Sequence, residues 1–572
     1  MKTKHLSILG AGAMLLGIAS CANNIDDVEN PNLKDGEVSY ISVNLVANHP
    51  GTRAEEPGLP EGAIYEDGNE TENAVNKVRF YFFNELGAAF PVQADGTSSY
   101  YDALEPTDAG QDMPNVEKIL TTTATIVTDG ENFPSQVIVV LNPSTEVMAL
   151  TRPSISELNA AVYDFSSTTN GFVMSNSVYL NQTEELQEAV SIGVEDFYTT
   201  PEAALADPVV IYVERVLAKV SLDISDGLTS HGEDAEGRPL YDTGVTYNGQ
   251  PVYVKFLGWN VTATAQTSNL MKNINPEWAP DLFGTTEAGI SEPWNYAPYF
   301  RSFWAANPAN LGIGYGNFNG EDNMPSAQAL TAFSATAGNN YTYLQENAAN
   351  DFTTGAGSNH PSQVIIAAQL CNASGEALPF AEWAFGKYTI DGLYTAYLAQ
   401  LALHKGQIYI KNDNTYTQLK EQDIEFKTAG SINSNLMSWT EKGRYYVYPQ
   451  LVDPNLTYTI GTGDGAVVVS GADVDRYLRE LGPAKVWEGG NTYYYFTIRH
   501  LGASLENAGY YGVVRNHVYK ATIETLTGLG TPVYDPDEII YPEKPEDEDG
   551  YIAAKINILS WRVVSQGVGL NW

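Results

Sequence analysis

Tyr551-Ile552-Ala553-Ala554-Lys555-Ile556-Asn557-Ile558-Leu559-Ser560-Trp561-Arg562-Val563-Val564 is the stretch on which the reading of this chain turns. Ile552, Ala554, Ile556 and Ile558 alternate on one face, and Leu559, Trp561 and Val563 continue on the other, which predicts a strand with a bulge or twist near Ile558. An acidic, proline-bearing tether, Pro542 to Gly550, leads into it. An apolar strand on a solvated tether invites pairing with whatever sheet edge it meets. The sequence therefore raises the question of a receiver, and predicts a loose tail until that receiver is found.

The opposite end supplies a counterpart. Lys2 and Lys4 precede an apolar stretch that closes on Ile18-Ala19-Ser20-Cys21, the pattern of a secretory signal with small residues before a lipid-acceptor cysteine. Acylation of Cys21 anchors the precursor to a membrane by lipid rather than by a span. A polar tether follows, then the strand Val38–Asn48, in which Ile41, Val43, Leu45 and Ala47 share one face and Ser42 and Asn44 point to the other. Ile41-Ser42-Val43-Asn44-Leu45-Val46 lies over Ala554-Lys555-Ile556-Asn557-Ile558-Leu559 with the same alternation and the same asparagine. Two strands with one pattern can occupy one groove.

Between this strand and the body lies His49 to Ala63, a loop dense in proline and glycine that cannot join a ladder. Arg53 is the only lysine or arginine between Lys34 and Lys77, so the Arg53-Ala54 bond is a ready site for an arginine-specific protease. Cutting there releases the lipid, the tether and the first strand together. The expected consequence is a sheet that loses an edge strand and gains an open groove.

Composition bounds the rest. The chain of 572 residues is long enough for two or more domains. With 36 Tyr, 50 Gly and only 17% charged residues, it favours strands and turns over helices. A net charge of −40 argues against nucleic acid as a partner. Once Cys21 is acylated only Cys371 remains, which excludes an intrachain disulfide. Lys77–Phe83, Leu120–Thr128, Gln136–Leu141 and Ile211–Ile224 read as strands of a first domain, with a capping box at Ser154-x-x-Glu157. Val252–Val261, Gln407–Lys411, Arg444–Tyr448, Tyr493–Ile498 and Val518–Ile523 read as strands of a second, with helices capped by Asp391 and Ser470.

Catalytic chemistry finds no support: the seven histidines show no paired ligand spacing, and no nucleophile elbow or phosphate-binding loop occurs. His500 and His517 read as loop or strand-end residues. No catalytic residue, metal ligand or cofactor is assigned. The acidic loops Asn319–Asn323 and Asp535–Glu538 offer hard oxygens of the kind calcium takes, but neither matches an EF-hand, and a solvated face is the reading adopted.

The residues carry a family resemblance. The cysteine motif at Cys21, the Arg53-Ala54 pair, Tyr212 to Val220, Phe256 to Thr262 and above all Val514 to Lys520, Gly528 to Pro532 and Ile558 to Val564, in that order, resemble the Mfa-like major fimbrillins of Bacteroidota, the short-fimbria shaft subunits of type V pili. The resemblance covers most of the chain. It implies a mostly β fold of two transthyretin-like β-sandwich domains with a few short helices and a C-terminal donor strand. On that pattern residues 1–21 are the lipoprotein signal, 22–53 a propeptide, 54–228 and 229–541 the two domains, and 542–572 the tether and donor strand. It further implies an outer-membrane lipoprotein precursor with palmitate on Cys21, cleavage after Arg53, and head-to-tail polymerisation of identical subunits into a cell-surface fimbrium with tip and anchor proteins. Two other readings are an accessory or tip adhesin of the same fimbria, and a monomeric surface lipoprotein that binds glycans through its tyrosines and tryptophans.

Overall fold

The computed structural model describes residues 37–47, 68–104, 106–108, 118–128, 132–177, 179–180, 186–273, 306–309, 311–320, 340–349, 360–428, 445–500, 511–542, 552–560 and 564–565. Strands dominate them, as the composition predicts. In chain order the strands that matter here are β1 (Glu37–Ala47), β2 (Lys77–Phe83), β3 (Lys118–Thr128), β4 (Gln136–Leu141), β5 (Met174–Asn176), β6 (Val209–Arg215), β7 (Leu217–Ile224), β8 (Gln250–Thr262), β9 (Tyr341–Gln345), β10 (Gln363–Cys371), β11 (Ile408–Asn412), β12 (Tyr458–Ile460), β13 (Val467–Val469), β14 (Asn491–Thr497), β15 (His517–Leu526), β16 (Ile552–Ser560) and β17 (Val564–Ser565).

The first sheet runs Tyr100–Leu104, β2, β4, β5, β6, β1, β3, Thr107–Asp108. One apolar core draws on strands from both ends of it: Val78, Phe80 and Phe82 of β2, Val137 and Val139 of β4, Ile41 and Val43 of β1, Ala124 and Ile126 of β3, and Ile211 and Val213 of β6. Six of the seven residues of β2 are buried, so both its faces are covered. That burial is why the run Val-Arg-Phe-Tyr-Phe-Phe is nearly continuous in large apolar side chains instead of alternating, its one charge, Arg79, being paired with Asp102 at 2.6 Å.

A second core lies between two sheets. One runs β9, β7, β15, β16, β17; the other runs Ser230–Glu233, Pro239–Tyr247, β8, β10, β14, Thr531–Pro532. Val220, Leu222, Tyr519 and Ile523 of the former meet Val254, Trp259, Ile366 and Phe496 of the latter. Ile211–Ile224, which reads as one strand of the first domain, breaks at Val216. Its first half enters the first sheet and its second half pairs with β15 and β9 in the second core.

Between the neighbouring strands β10 and β14 the chain makes an excursion with two small cores of its own. It carries α2 (Ile390–Lys405) and α3 (Gly471–Glu480). Ser470 caps α3 as its sequence predicts, but α2 is capped by Thr389, whose hydroxyl accepts from the Gly392 N–H, not by Asp391. Asp391 sits in the first turn, where its charge still favours the helix N-terminus. The capping box at Ser154 and Glu157 is formed, on the five-residue helix α1 (Ile155–Asn159).

Candidate functional site: the first and last strands

β1 is held on both sides. All eleven of its residues pair antiparallel with β3, from Glu37 opposite Thr128 to Ala47 opposite Lys118. On its other flank Val43 to Ala47 pair in parallel with Val209 to Val213 of β6, and Tyr40 exchanges two main-chain hydrogen bonds of 2.8 Å with Tyr198. It is therefore an internal strand, and the expectation of an edge strand is corrected. A parallel partner requires a long crossover, which the other strands of this sheet supply between β1 and β6.

Both faces of its middle are closed. Ile41 and Val43 are fully buried, as the alternation predicts, with Ser39 beside them on the same face, and Ser42 on the opposite face is buried as well. The Ser42 hydroxyl donates to the Thr122 carbonyl at 3.1 Å. Burial of Ile41 and Val43 alone stabilises the precursor by about 3–6 kcal/mol. Leu45 and Ala47 lie in the paired part of the strand, where only the backbone is described.

The C-terminal strand is also placed within the chain. β16 pairs antiparallel with β15 from Leu526 opposite Ile552 to His517 opposite Ser560. The loose tail expected from the sequence is thus corrected: without β16, β15 would present an open ladder, and the chain's own terminus closes it. The irregularity expected near Ile558 lies elsewhere. It falls on the partner strand between Ile523 and Thr525, opposite Ala553 and Ala554. β16 ends at Ser560, and Val564 of β17 pairs antiparallel with Ile558. Ile552, Ala554, Ile556, Ile558 and Leu559 thus belong to one continuous strand. Cys21, Arg53, Ala54, Trp561 and Val563 lie outside the described residues.

The two strands are linked through one segment. β6, a wall of the β1 site, continues after Val216 into β7, which pairs in parallel with β15, the strand that carries β16. Around this elbow several charges are buried. Lys219 pairs with Glu72 at 3.0 Å, and Tyr343 donates to the same carboxylate. Burial raises the Glu72 carboxyl, but hydrogen bonds from Tyr343, the Asn69 N–H and Lys219 outweigh it and hold the group below its usual range. Arg515 pairs with Glu346 at 3.0 Å and donates to the carbonyls of Leu270 and Asn269, while Lys272 lies 3.5 Å from Glu214. Burial pushes the Lys272 ammonium down, against the pull of Glu214. Their partners lie far apart in sequence, so no spacing signal announces this cluster.

Other candidate chemistry resolves into structure. His500, in the loop after β14, and His517, the first residue of β15, stand where the sequence reading put them, and both are buried, with ring centroids 5.0 Å apart; Tyr519 joins His500 at 2.9 Å and His517 Nδ1 lies 2.7 Å from the Arg515 carbonyl. The two acidic loops meet, and there the Asn319 amide donates to Asp537 at 3.0 Å. Among the described residues no group of three His, Cys, Asp or Glu side chains is placed to hold a metal ion. Trp259, Trp487, Tyr397 and Tyr494 are fully buried core residues, which removes them as sugar platforms. A cavity lined by Phe318, Tyr493, Val533 and Ile540 has a volume of about 30 Å³, room for a water or two and no ligand.

Comparison with known proteins bears on the C-terminal region. Residues 485–567 match the family model described as major fimbrial subunit protein type IV, fimbrillin, C-terminal. Among solved structures, a fimbrilin (FimA) from Porphyromonas gingivalis is 13% identical, with 92% of this chain and 99% of that chain covered and a TM-score of 0.37. The tip fimbrial protein Mfa3 of the same organism is 10% identical, covering 91% and 99%, with a TM-score of 0.29. A fimbrial assembly protein from Parabacteroides distasonis is 12% identical, covering 59% and 88%, with a TM-score of 0.27. A comparison with curated proteins found no match. The matched segment spans β14, β15, β16 and β17, and over these residues, 485–567, the chain is similar to the C-terminal region of the fimbrillins.

Proposed function

We propose that this protein is a structural shaft subunit of a cell-surface fimbria, not an enzyme, and that β1 and β16 are the two halves of its polymer joint. It is exported as a lipoprotein acylated at Cys21, folds with β1 in place, and is activated by an arginine-specific protease that cuts between Arg53 and Ala54. β1 then leaves with the propeptide, and the C-terminal strand of the next subunit takes its place.

The observation that carries this reading is the position of β1, which has ladders on both flanks and ends six residues before Arg53. A vacated slot of this kind leaves the main-chain groups of β3 and β6 unpaired and uncovers Ala124, Ile126, Ile211 and Val213. Each main-chain group left buried without a partner costs about 1–3 kcal/mol, so the slot strongly favours a new occupant. The incoming strand exchanges one full ladder, on β15, for two in the slot, and main-chain pairing sets its affinity while alternate side chains set its register. Such head-to-tail insertion is heterologous and does not close, so it grows filaments.

The test is brief trypsin treatment of the purified precursor, followed by unboiled gel electrophoresis. Loss of the N-terminal segment should be accompanied by a ladder of polymers, and Arg53→Ala should prevent both. Complete cleavage with no ladder at high concentration refutes the shaft role and favours the tip or monomeric readings.

A further inference from the structure

Charge is unevenly spread along this chain. Residues 381–486, most of the excursion between β10 and β14, hold 12 acidic and 10 basic side chains, a net of −2; the other residues hold 58 acidic and 20 basic, a net of −38. Two copies of the body repel each other at every approach, whereas two copies of the excursion do not. The same region holds Phe385, Leu403, Val452, Leu456, Val467 and Val468, six of the eleven large apolar side chains exposed among the described residues.

Two of these stand on a sheet edge. The four-stranded sheet of the excursion runs Thr415–Gln418, β11, β12, β13. Its first edge is polar, Thr-Tyr-Thr-Gln, the usual protection against edge pairing. Its other edge is β13, Val467-Val468-Val469, which pairs with β12 on one side and with no other described strand. Val467 is 58% exposed and Val468 64%. No charge interrupts the strand and no proline blunts it.

We propose that β13 is a self-association edge at which a second copy of this chain pairs antiparallel, Val468 opposite Val468, about a two-fold axis. The near-neutral surroundings select this partner: on a chain of net charge −40 this is the region where like molecules meet without a repulsive field. A three-residue edge makes a weak contact between monomers. Resting on the filament reading, repetition of the same edge along a shaft makes lateral bundling of filaments strong by multivalency. Raising the salt concentration should promote association, because it screens the anionic bodies and leaves the apolar contact intact.

The experiment uses the uncleaved full chain, so that it does not depend on polymerisation. Val468→Cys under mild oxidation should give a covalent dimer, and Thr417→Cys on the opposite edge should not. Dimers from both variants alike, or from neither, overturn the proposal; a mixed adduct with another protein and no homodimer does the same and assigns the edge to that protein. In a second arm, Val468→Lys filaments should form the same ladders as the unsubstituted protein yet remain single by electron microscopy. If they bundle as before, the edge is not the contact. If no ladder forms even with the unsubstituted protein, the shaft reading fails while the dimer result still stands or falls by itself.

Discussion

β1 and β16 share an alternating pattern and an asparagine at the same place in it, yet the fold treats them differently. β1 lies between two strands, with Ile41 and Val43 in the core and even its serines buried. β16 lies against β15 along its length, and on its other flank the described residues give only the two-residue β17. A strand with two ladders leaves only when its connection to the rest is cut or the sheet opens; a strand on one ladder can peel away by itself. Similar side chains thus give one lock and one latch, and the number of neighbours makes the difference.

The largest effect should come from fixing the latch. Thr522 and Lys555 face each other across β15 and β16, and the double variant Thr522→Cys, Lys555→Cys should close a disulfide that keeps the terminal strand at home. Oxidised protein should be cleaved normally and form no ladder, and a reducing agent should restore it. Ladders from the oxidised form would mean that another segment fills the slot.

A smaller effect is expected from loosening the lock. Ile41→Ala should destabilise the uncleaved precursor by about 2–5 kcal/mol in chemical denaturation, as for other fully buried isoleucines. Ile556→Ala in β16 should cost the monomer much less and the filament more, read as a lower temperature at which ladders dissolve. Equal losses in both measurements would erase the distinction between the strands.

The smallest effect concerns the elbow that joins the two sites. Glu72 is held below its ordinary value of 4.5, so its folded state binds fewer protons than the unfolded chain in that range. Its contribution is present above about pH 4.5 and is lost as the pH falls through the folded value. Urea unfolding midpoints should therefore fall less steeply with acid in Glu72→Gln than in the unsubstituted protein. Parallel acid limbs would remove Glu72 as the titrating group.

Much of the strand pattern was legible from the chain. β2 and β4 match the readings Lys77–Phe83 and Gln136–Leu141 residue for residue, because aromatic and β-branched runs between turn residues have little else to form. Ser154 and Ser470 marked helix starts because a cap is a local hydrogen bond. Thr389 and not Asp391 caps α2: two cap-competent residues stand two apart, and only the backbone geometry decides between them.

What the sequence by itself determined is the pair of matching strands at the two ends, the isolated arginine between one of them and the body, and the β class, all properties of local order and composition. Only the tertiary structure decided that β1 is internal, that β16 is paired within its own chain, and that β6 and β7 connect their two sites past a cluster of buried charges. Neighbours in a sheet are set by contacts between residues hundreds of positions apart, such as Val220 with Tyr519, and alternation along a strand carries no record of how many ladders flank it.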